Sequence, residues 1–374
     1  MNVAFVSNVV YPFVTGGAQK RIYEIGTRLV ERGHSVTVYG RHFWDGPAEM
    51  DYDGLQLRAV ADGREIYTDD RRSITEAVEF ATRLYRPLRR HVDEHDVVVA
   101  SVFPYFPVLT AAAVTRGSDV PLVTTWHECW QEYWWDYLGM LAPGGIAIER
   151  VVAKLPQHPI AVSSATANQL SKIGPQRSDI AVVSNGVDVE HIRSVPAIET
   201  DTEVVFVGRL IEAKRVDRLL DALAKLDRVP TTTIIGEGAH RDTLESRAHE
   251  LGIKSRVEFL GELDDHDDVL GYLKAADVFA TASTREGFGI TLVEAMAADC
   301  TVVATDHPRS AAKEVLDGGG FLAGPTSASL ATQLERALAG ERPPVEPIQR
   351  AQQFDWEAVT DDALAAYRDA IANQ

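Results

Sequence analysis

Short apolar runs alternate with segments of helical period along this 374-residue chain, and that alternation is what most limits its fold. Runs at 2–7, 35–39, 55–60, 96–101, 121–125, 159–162 and 179–183 read as strands, most of them separated by helical segments. After a stretch of turn formers at 184–201 with a proline and no clear period, which reads as a linker, a second series begins. Its strands at 203–207, 231–235, 256–260, 277–280 and 301–304 alternate with helices near 214–226, 239–252, 264–275, 290–298 and 326–339. Parallel strands need crossover connections, so each series predicts a mostly parallel sheet with helices on both faces. The expected fold class is α/β, with two doubly wound Rossmann-like domains at 1–188 and 189–355. Trp356, Val359, Ala363, Tyr367 and Ile371 recur at helical spacing after the proline-rich 341–347. They predict an amphipathic helix at 356–374 that buries its stripe back on the first domain.

Within this frame the richest stretch is 285–296, REGFGITLVEAM. It sets Glu286 and Glu294 across a glycine-rich turn that runs into a helix at about Ile290. Gly287 and Gly289 lack a Cβ, so the backbone at Phe288 can approach a ligand, and the free N–H groups of the helix start favour an anion. Gly16 and Gly17 stand before the first helix, where a phosphate could also be met, although their spacing is not the dinucleotide fingerprint. His127 follows the strand at 121–125 and could face a cleft. Trp130, Trp134 and Trp135 beyond it could wall an acceptor site or pack a helix on the core.

Other patterns point less sharply. His91 and His95 lie four apart near the end of a helix at 73–92, with no third metal ligand evident, and the acidic run 264–268 is what a helix start favours without any metal. Arg71, Arg72, Arg83, Arg86, Arg89 and Arg90 gather around that same helix, as a solvated face or a patch for anionic lipid. The net charge of −18 is spread along the chain and speaks against nucleic acid as a partner. Only eight of the 37 basic residues are lysine, a composition that resembles proteins of salt-rich cytoplasm, as in a halophilic archaeon. Cys129 and Cys300 stand far apart with no spacing pattern, as in a reducing compartment. The start MNVAFVS has no signal-peptide pattern, and no apolar run approaches the roughly 20 residues of a spanning helix. A cytoplasmic protein, peripheral at most to the inner face of the cell membrane, is expected.

In order along the chain, GGAQ at 16–19, Thr125-Trp126-His127, NGVD at 185–188, GRLIEAK at 208–214, GEG at 236–238, FLGEL at 259–263 and REGFGITLVEAMAA at 285–298 form a more specific pattern. Over nearly its whole length the chain resembles the retaining, nucleotide-sugar-dependent glycosyltransferases of the GT-B fold that carry an E-x7-E motif. The resemblance implies two domains facing across a cleft and transfer of a hexose from a nucleoside-diphosphate sugar to a lipid-linked or surface glycan. It implies no metal and no cofactor beyond the donor. Arg209 and Lys214 would hold the donor diphosphate, with backbone donors at Gly16 and Gly17, and Glu294 would hold the ribose. Glu286 with the amides of Gly287, Phe288 and Gly289 would meet the transferred sugar. Gly236, Leu260 and Leu263 would border the base, and His127 would stabilise a developing oxocarbenium ion. A soluble sugar-phosphate synthase and a non-catalytic sugar-nucleotide-binding protein remain alternatives. Four departures from the family pattern stand out: Gln19 for Glu, Arg215 for Gly, Asp299-Cys300 for Gly-Pro, and His307-Pro308 where a glycine pair is expected. Pro308 has no N–H to offer a phosphate.

Overall fold

The computed structural model describes residues 1–64, 67–68 and 71–374, and the side chains of residues 67, 68, 71 and 72 also lie outside the description. The chain divides into two compact units, Met1–Asn185 with Trp356–Gln374, and Gly186–Asp355.

The first unit is built on an eight-stranded sheet. Its strands are β1 (Asn2–Val6), β2 (Ser35–His42), β3 (Glu49–Tyr52), β4 (Leu55–Asp62), β7 (Val97–Val102), β8 (Leu122–Trp126), β9 (His158–Ala161) and β10 (Ala181–Val182). A separate two-stranded ribbon joins β5 (Tyr67–Thr68) to β6 (Arg71–Arg72). Sheet order is β10-β9-β8-β7-β1-β2-β4-β3, parallel throughout except that β3 runs antiparallel to β4. Val3 and Phe5 of β1, Val97 and Val99 of β7 and Val123 of β8 share one buried cluster with Trp356, Val359, Ala363 and Tyr367 of the C-terminal helix Trp356–Ala372. That helix is also tied to the first helix, Gly17–Glu31, by ion pairs from Arg28 and Arg32 to Glu357 and from Arg32 to Asp361.

Beneath the loop that follows β1, a buried ion pair joins β2 to the helix Ile74–His91. Arg41 Nε donates to Glu76 Oε1 at 2.6 Å, Arg41 Nη2 reaches the Glu76 carbonyl at 2.9 Å, and Asn8 Nδ2 donates to both Glu76 oxygens at 3.1 Å. Every partner of this carboxylate comes from another element, so the network anchors the start of the β1 loop.

The second unit holds a six-stranded, fully parallel sheet: β11 (Val204–Val207), β12 (Thr232–Ile235), β13 (Val257–Gly261), β14 (Val278–Thr281), β15 (Thr301–Thr305) and β16 (Gly320–Ala323), in the order β13-β12-β11-β14-β15-β16. Strand order reverses between β11 and β14. In an open α/β sheet that is where ligands bind, outside the strand C-termini.

The structure departs from the sequence reading in several places. Val189–Ser194, inside the stretch read as a linker, is a helix, capped by the Asp188 side chain accepting from His191 N–H at 2.8 Å. At six residues it is too short to show a period. Strands β3 and β16 and the β5-β6 ribbon were not anticipated, because EMDY is polar and GGGFLAG reads as a turn. His91 and His95 do not converge: His91 pairs with Glu94, whereas His95 is buried and bonded to the Tyr39 hydroxyl at 2.9 Å. The acidic run begins a helix, with Asp265 accepting from Asp267 N–H at 3.0 Å. Cys129 and Cys300 are both free thiols.

Candidate active site

The C-terminal ends of β11, β12, β13, β14 and β15 carry most of the candidate residues, since every loop that leaves a parallel sheet on that edge starts there. Arg209 follows β11 and is exposed. Lys214 ends the short turn Glu212–Lys214, and its Nζ meets Glu286 Oε2, on the loop after β14, at 2.6 Å. The two side chains are only 16% and 19% exposed, so the pair spans the strand-order reversal in a largely desolvated setting. Gly236 follows β12, and a Cβ there would lie 2.2 Å from the Gly208 carbonyl oxygen, so only glycine lets these two loops touch. Leu260 is the penultimate residue of β13 and Leu263 follows the strand, both half-buried.

The stretch after β14 forms a turn into the helix Ile290–Ala297, with Gly289 as N-cap at φ 89°, a left-handed conformation that a side chain resists. Phe288 is buried, its ring centroid 5.4 Å from that of Phe354. Glu294 is buried within the helix, and His266 Nε2 donates to its Oε1 at 2.9 Å. Nothing in the spacing of the acidic run marked His266, because the contact exists only once β13's loop and this helix are packed together. Arg215, where the family pattern has glycine, takes up φ 49° and holds Asp217 through two bonds of 2.9 and 2.7 Å.

In the first unit, Gly16 caps the first helix and Gly17 opens it, both exposed, with no side-chain hydrogen bond from the cap. His127 follows β8. It lines a cavity of about 10 Å³, room for about one water, together with Arg21, Ser101, Thr125 and Tyr367. Burial, reinforced by the nearby Arg21 charge, pushes the His127 pKa down to about 3, so its imidazole is neutral at ordinary pH. Arg21 itself is buried without a carboxylate partner among the described residues. It donates to the Val183 carbonyl at 3.2 Å, to Asn185 Oδ1 at 3.2 Å and to the Ser184 carbonyl. Burial lowers its pKa to about 10 and raises that of Tyr367 to about 12. Sequence reasoning missed Arg21, which sits on a helix face that reads as ordinary.

The aromatic segment after His127 divides. Trp134 is core, Trp130 stacks on Phe103 at 4.5 Å, and Trp135 is 53% exposed. Its shape depends on Glu149, a buried carboxylate that accepts from Trp130 N–H at 2.6 Å, Gln131 N–H at 2.8 Å, Tyr105 O–H at 3.1 Å and Trp134 Nε1–H at 3.3 Å. Among the described residues, no three His, Cys, Asp or Glu side chains gather so as to hold a metal ion, and no helix is long and apolar enough to cross a membrane.

Two units of this kind, each built on a mostly parallel sheet, make the GT-B fold, the fold of the Anabaena protein HepE solved with UDP-glucose (TM-score 0.71, 20% identity, 100% of each chain covered). The chain belongs to the glycosyltransferases, residues 15–191 matching Glycosyltransferase Family 4 and residues 188–354 matching Glycosyl transferases group 1. It is 27% identical over 412 residues to the glycogen synthase of Mycobacterium tuberculosis, covering 98% of this chain and 94% of that one. It is 29% identical over 375 residues to the phosphatidyl-myo-inositol mannosyltransferase of Mycobacterium leprae, covering 95% and 93%.

Proposed function

We propose that this glycosyltransferase moves a hexose from a nucleoside-diphosphate sugar to a lipid-linked or surface glycan acceptor, with retention of anomeric configuration and without a metal, in the cytoplasm at the inner membrane face. The observation that carries the reading is the Lys214–Glu286 pair at the strand-order reversal. A cation there neutralises charge as it develops on a leaving diphosphate, and the carboxylate beside it is placed for the hydroxyls of the departing sugar. Arg209 adds a second fixed positive charge. Glu286 and Glu294 then act as the two carboxylates of an E-x7-E motif, on sugar and ribose respectively, with Gly287, Phe288, Gly289 and Ile290 offering backbone donors and Gly236, Leu260 and Leu263 bordering the base.

From the first unit, Gly16 and Gly17 offer amides to phosphate and His127 faces the sugar. A neutral imidazole suits that role, because a cation would repel an oxocarbenium ion while neutral His127 can still hydrogen-bond a hydroxyl. In front-face attack the leaving phosphate accepts the acceptor's proton as the new glycosidic bond forms on the same face. The mannosyltransferase relative supports a lipid acceptor. So does the exposed apolar series Ile74, Val78 and Tyr85 on the helix that also exposes Arg83, Arg86, Arg89 and Arg90.

The likeness to a glycogen synthase favours a second reading, a soluble synthase with a carbohydrate or sugar-phosphate acceptor. A non-catalytic sugar-nucleotide-binding protein is disfavoured by the presence together of Arg209, Lys214, Glu286 and Glu294. Incubation with UDP-, GDP- and ADP-hexoses and with lipid-linked or free glycan acceptors, in EDTA, tests the reading. The expected product keeps the donor's anomeric configuration by NMR. An inverted product, or activity abolished by EDTA, would overturn the mechanism, and transfer only to free sugars would favour the synthase.

A further inference from the structure

Strand order in the first sheet reverses between β1 and β7, and the cavity that His127 lines is walled there by Phe5 of β1, Ser101 of β7 and Thr125 of β8. His127 is the first residue beyond β8. Its neighbour Trp126 is fixed by the sheet, paired with Val102 of β7 and Ala161 of β9. Beyond His127 the chain joins no strand or helix until Tyr133, so whatever holds residues 128–132 decides where the imidazole stands.

Glu149, on the helix Ala142–Ala153, does that holding, and all four of its partners among the described residues are neutral donors. Its Oε1 accepts from Trp130 N–H and Tyr105 O–H, and its Oε2 from Gln131 N–H and Trp134 Nε1–H. Tyr105 lies between β7 and the helix Phe106–Thr115, so one carboxylate ties together the segments that leave β7 and β8. With two donors on each oxygen, only an acceptor-only group satisfies all four, whereas a glutamine amide would turn its NH2 toward two of them. Gln131 has φ 43°, a left-handed conformation that a side chain resists, and it is held there by the Glu149 bond and by its own Nε2 donating to the Gln169 carbonyl at 3.0 Å. Burying a carboxylate without a cation is costly, and filling the same space needs only an apolar side chain. The charge is therefore kept for the shape it imposes.

We propose that Glu149 is a positioning residue for the transfer: by fixing residues 130 and 131 it sets the course of the segment that leaves β8, and so the place of His127 against the sugar, without touching a substrate itself. This rests on the assignment of His127 to the sugar. A group that works through its position is sensitive to small displacements, since a misplacement of about 1 Å can cost about 100-fold in rate. Diphosphate binding draws on Gly16, Gly17, Arg209 and Lys214, none of which is bonded to Glu149, and should be indifferent to it.

The wild type, Glu149→Gln, Glu149→Asp, His127→Ala and the double variant of His127→Ala with Glu149→Gln are compared by diphosphate release from saturating UDP-, GDP- or ADP-hexose, by calorimetric affinity for the bare diphosphate, and by melting temperature. Release to water requires no identified acceptor. Glu149→Gln keeps the size of the side chain and should slow release about 10- to 100-fold, with bare-diphosphate affinity within about threefold of wild type. Glu149→Asp, still a carboxylate, should recover part of the rate. In the His127→Ala background Glu149→Gln should cost little more, because the group it positions is gone. Wild-type release by Glu149→Gln, or a loss that multiplies in full with that of His127→Ala, would overturn the proposal, since Glu149 would then serve the fold and not the place of the imidazole. If Glu149→Gln does not fold, Glu149→Asp is taken through the same cycle, double variant included. Wild-type release by His127→Ala would instead overturn the assignment of His127, and the proposal with it.

Discussion

Glu286 and Glu294 stand in different surroundings, and replacing each with glutamine separates their roles. The Glu294 side chain is 8% exposed and already accepts from His266, so a ribose hydroxyl bonded to it would be bonded to a desolvated charge. Each such hydrogen bond is worth about 1.5–3 kcal/mol, or about 10- to 150-fold in affinity. Those contacts are present for the free nucleoside diphosphate and the whole donor alike, so Glu294→Gln should weaken both by that factor. Glu286 instead holds Lys214 in the free protein at 2.6 Å. Removing its charge releases the lysine for the diphosphate, so Glu286→Gln should leave bare-diphosphate affinity unchanged or slightly tighter while lowering donor affinity, turnover or both. Calorimetric titration with diphosphate and intact donor yields the four affinities, and single-turnover transfer adds the rates. If Glu286→Gln weakens the bare diphosphate as much as Glu294→Gln does, both carboxylates serve the nucleotide and the assignment is refuted.

Burial holds the pKa of His127 at about 3 and that of His95 at about 4, both below the ordinary histidine value of about 6.5. The unfolded chain thus takes up these protons first, and their contribution to stability, complete above about pH 6.5, should be lost as pH falls toward 4 and then 3. Thermal unfolding across that range checks it, and a flat profile would contradict it. Glu76→Ala takes from the buried Arg41 its buried carboxylate partner, leaving Glu79 as its remaining ion-pair partner, and should cost about 1–3 kcal/mol in urea unfolding, whereas a loss well below about 1 kcal/mol would mean the network is dispensable. The melting temperature should climb from dilute buffer into molar KCl as screening relieves an acidic surface, and a flat or falling trend would remove the salt-rich origin. Flotation with anionic liposomes should weaken when Arg86, Arg89 and Arg90 become glutamine, and equal flotation would leave that helix face as merely solvated.

Sequence alone determined the parallel α/β character of both halves, because strand and helix announce themselves in local periodicity. VVVASV at Val97–Val102 can only be a doubly covered strand, and Gly289 before an apolar run marks a helix start at Ile290. The motif residues at strand C-termini were legible for the same reason: a parallel sheet sends every such loop to one edge. Tertiary structure alone decided which strands are neighbours, and so where the order reverses. It brought Lys214 to Glu286 across 72 residues and His266 to Glu294 across 28. It also added the polar edge strand Glu49–Tyr52 and the short helix Val189–Ser194. An edge strand has one sheet neighbour and a six-residue helix has under two turns, so each is held by its packing partners and leaves little trace in its own residues.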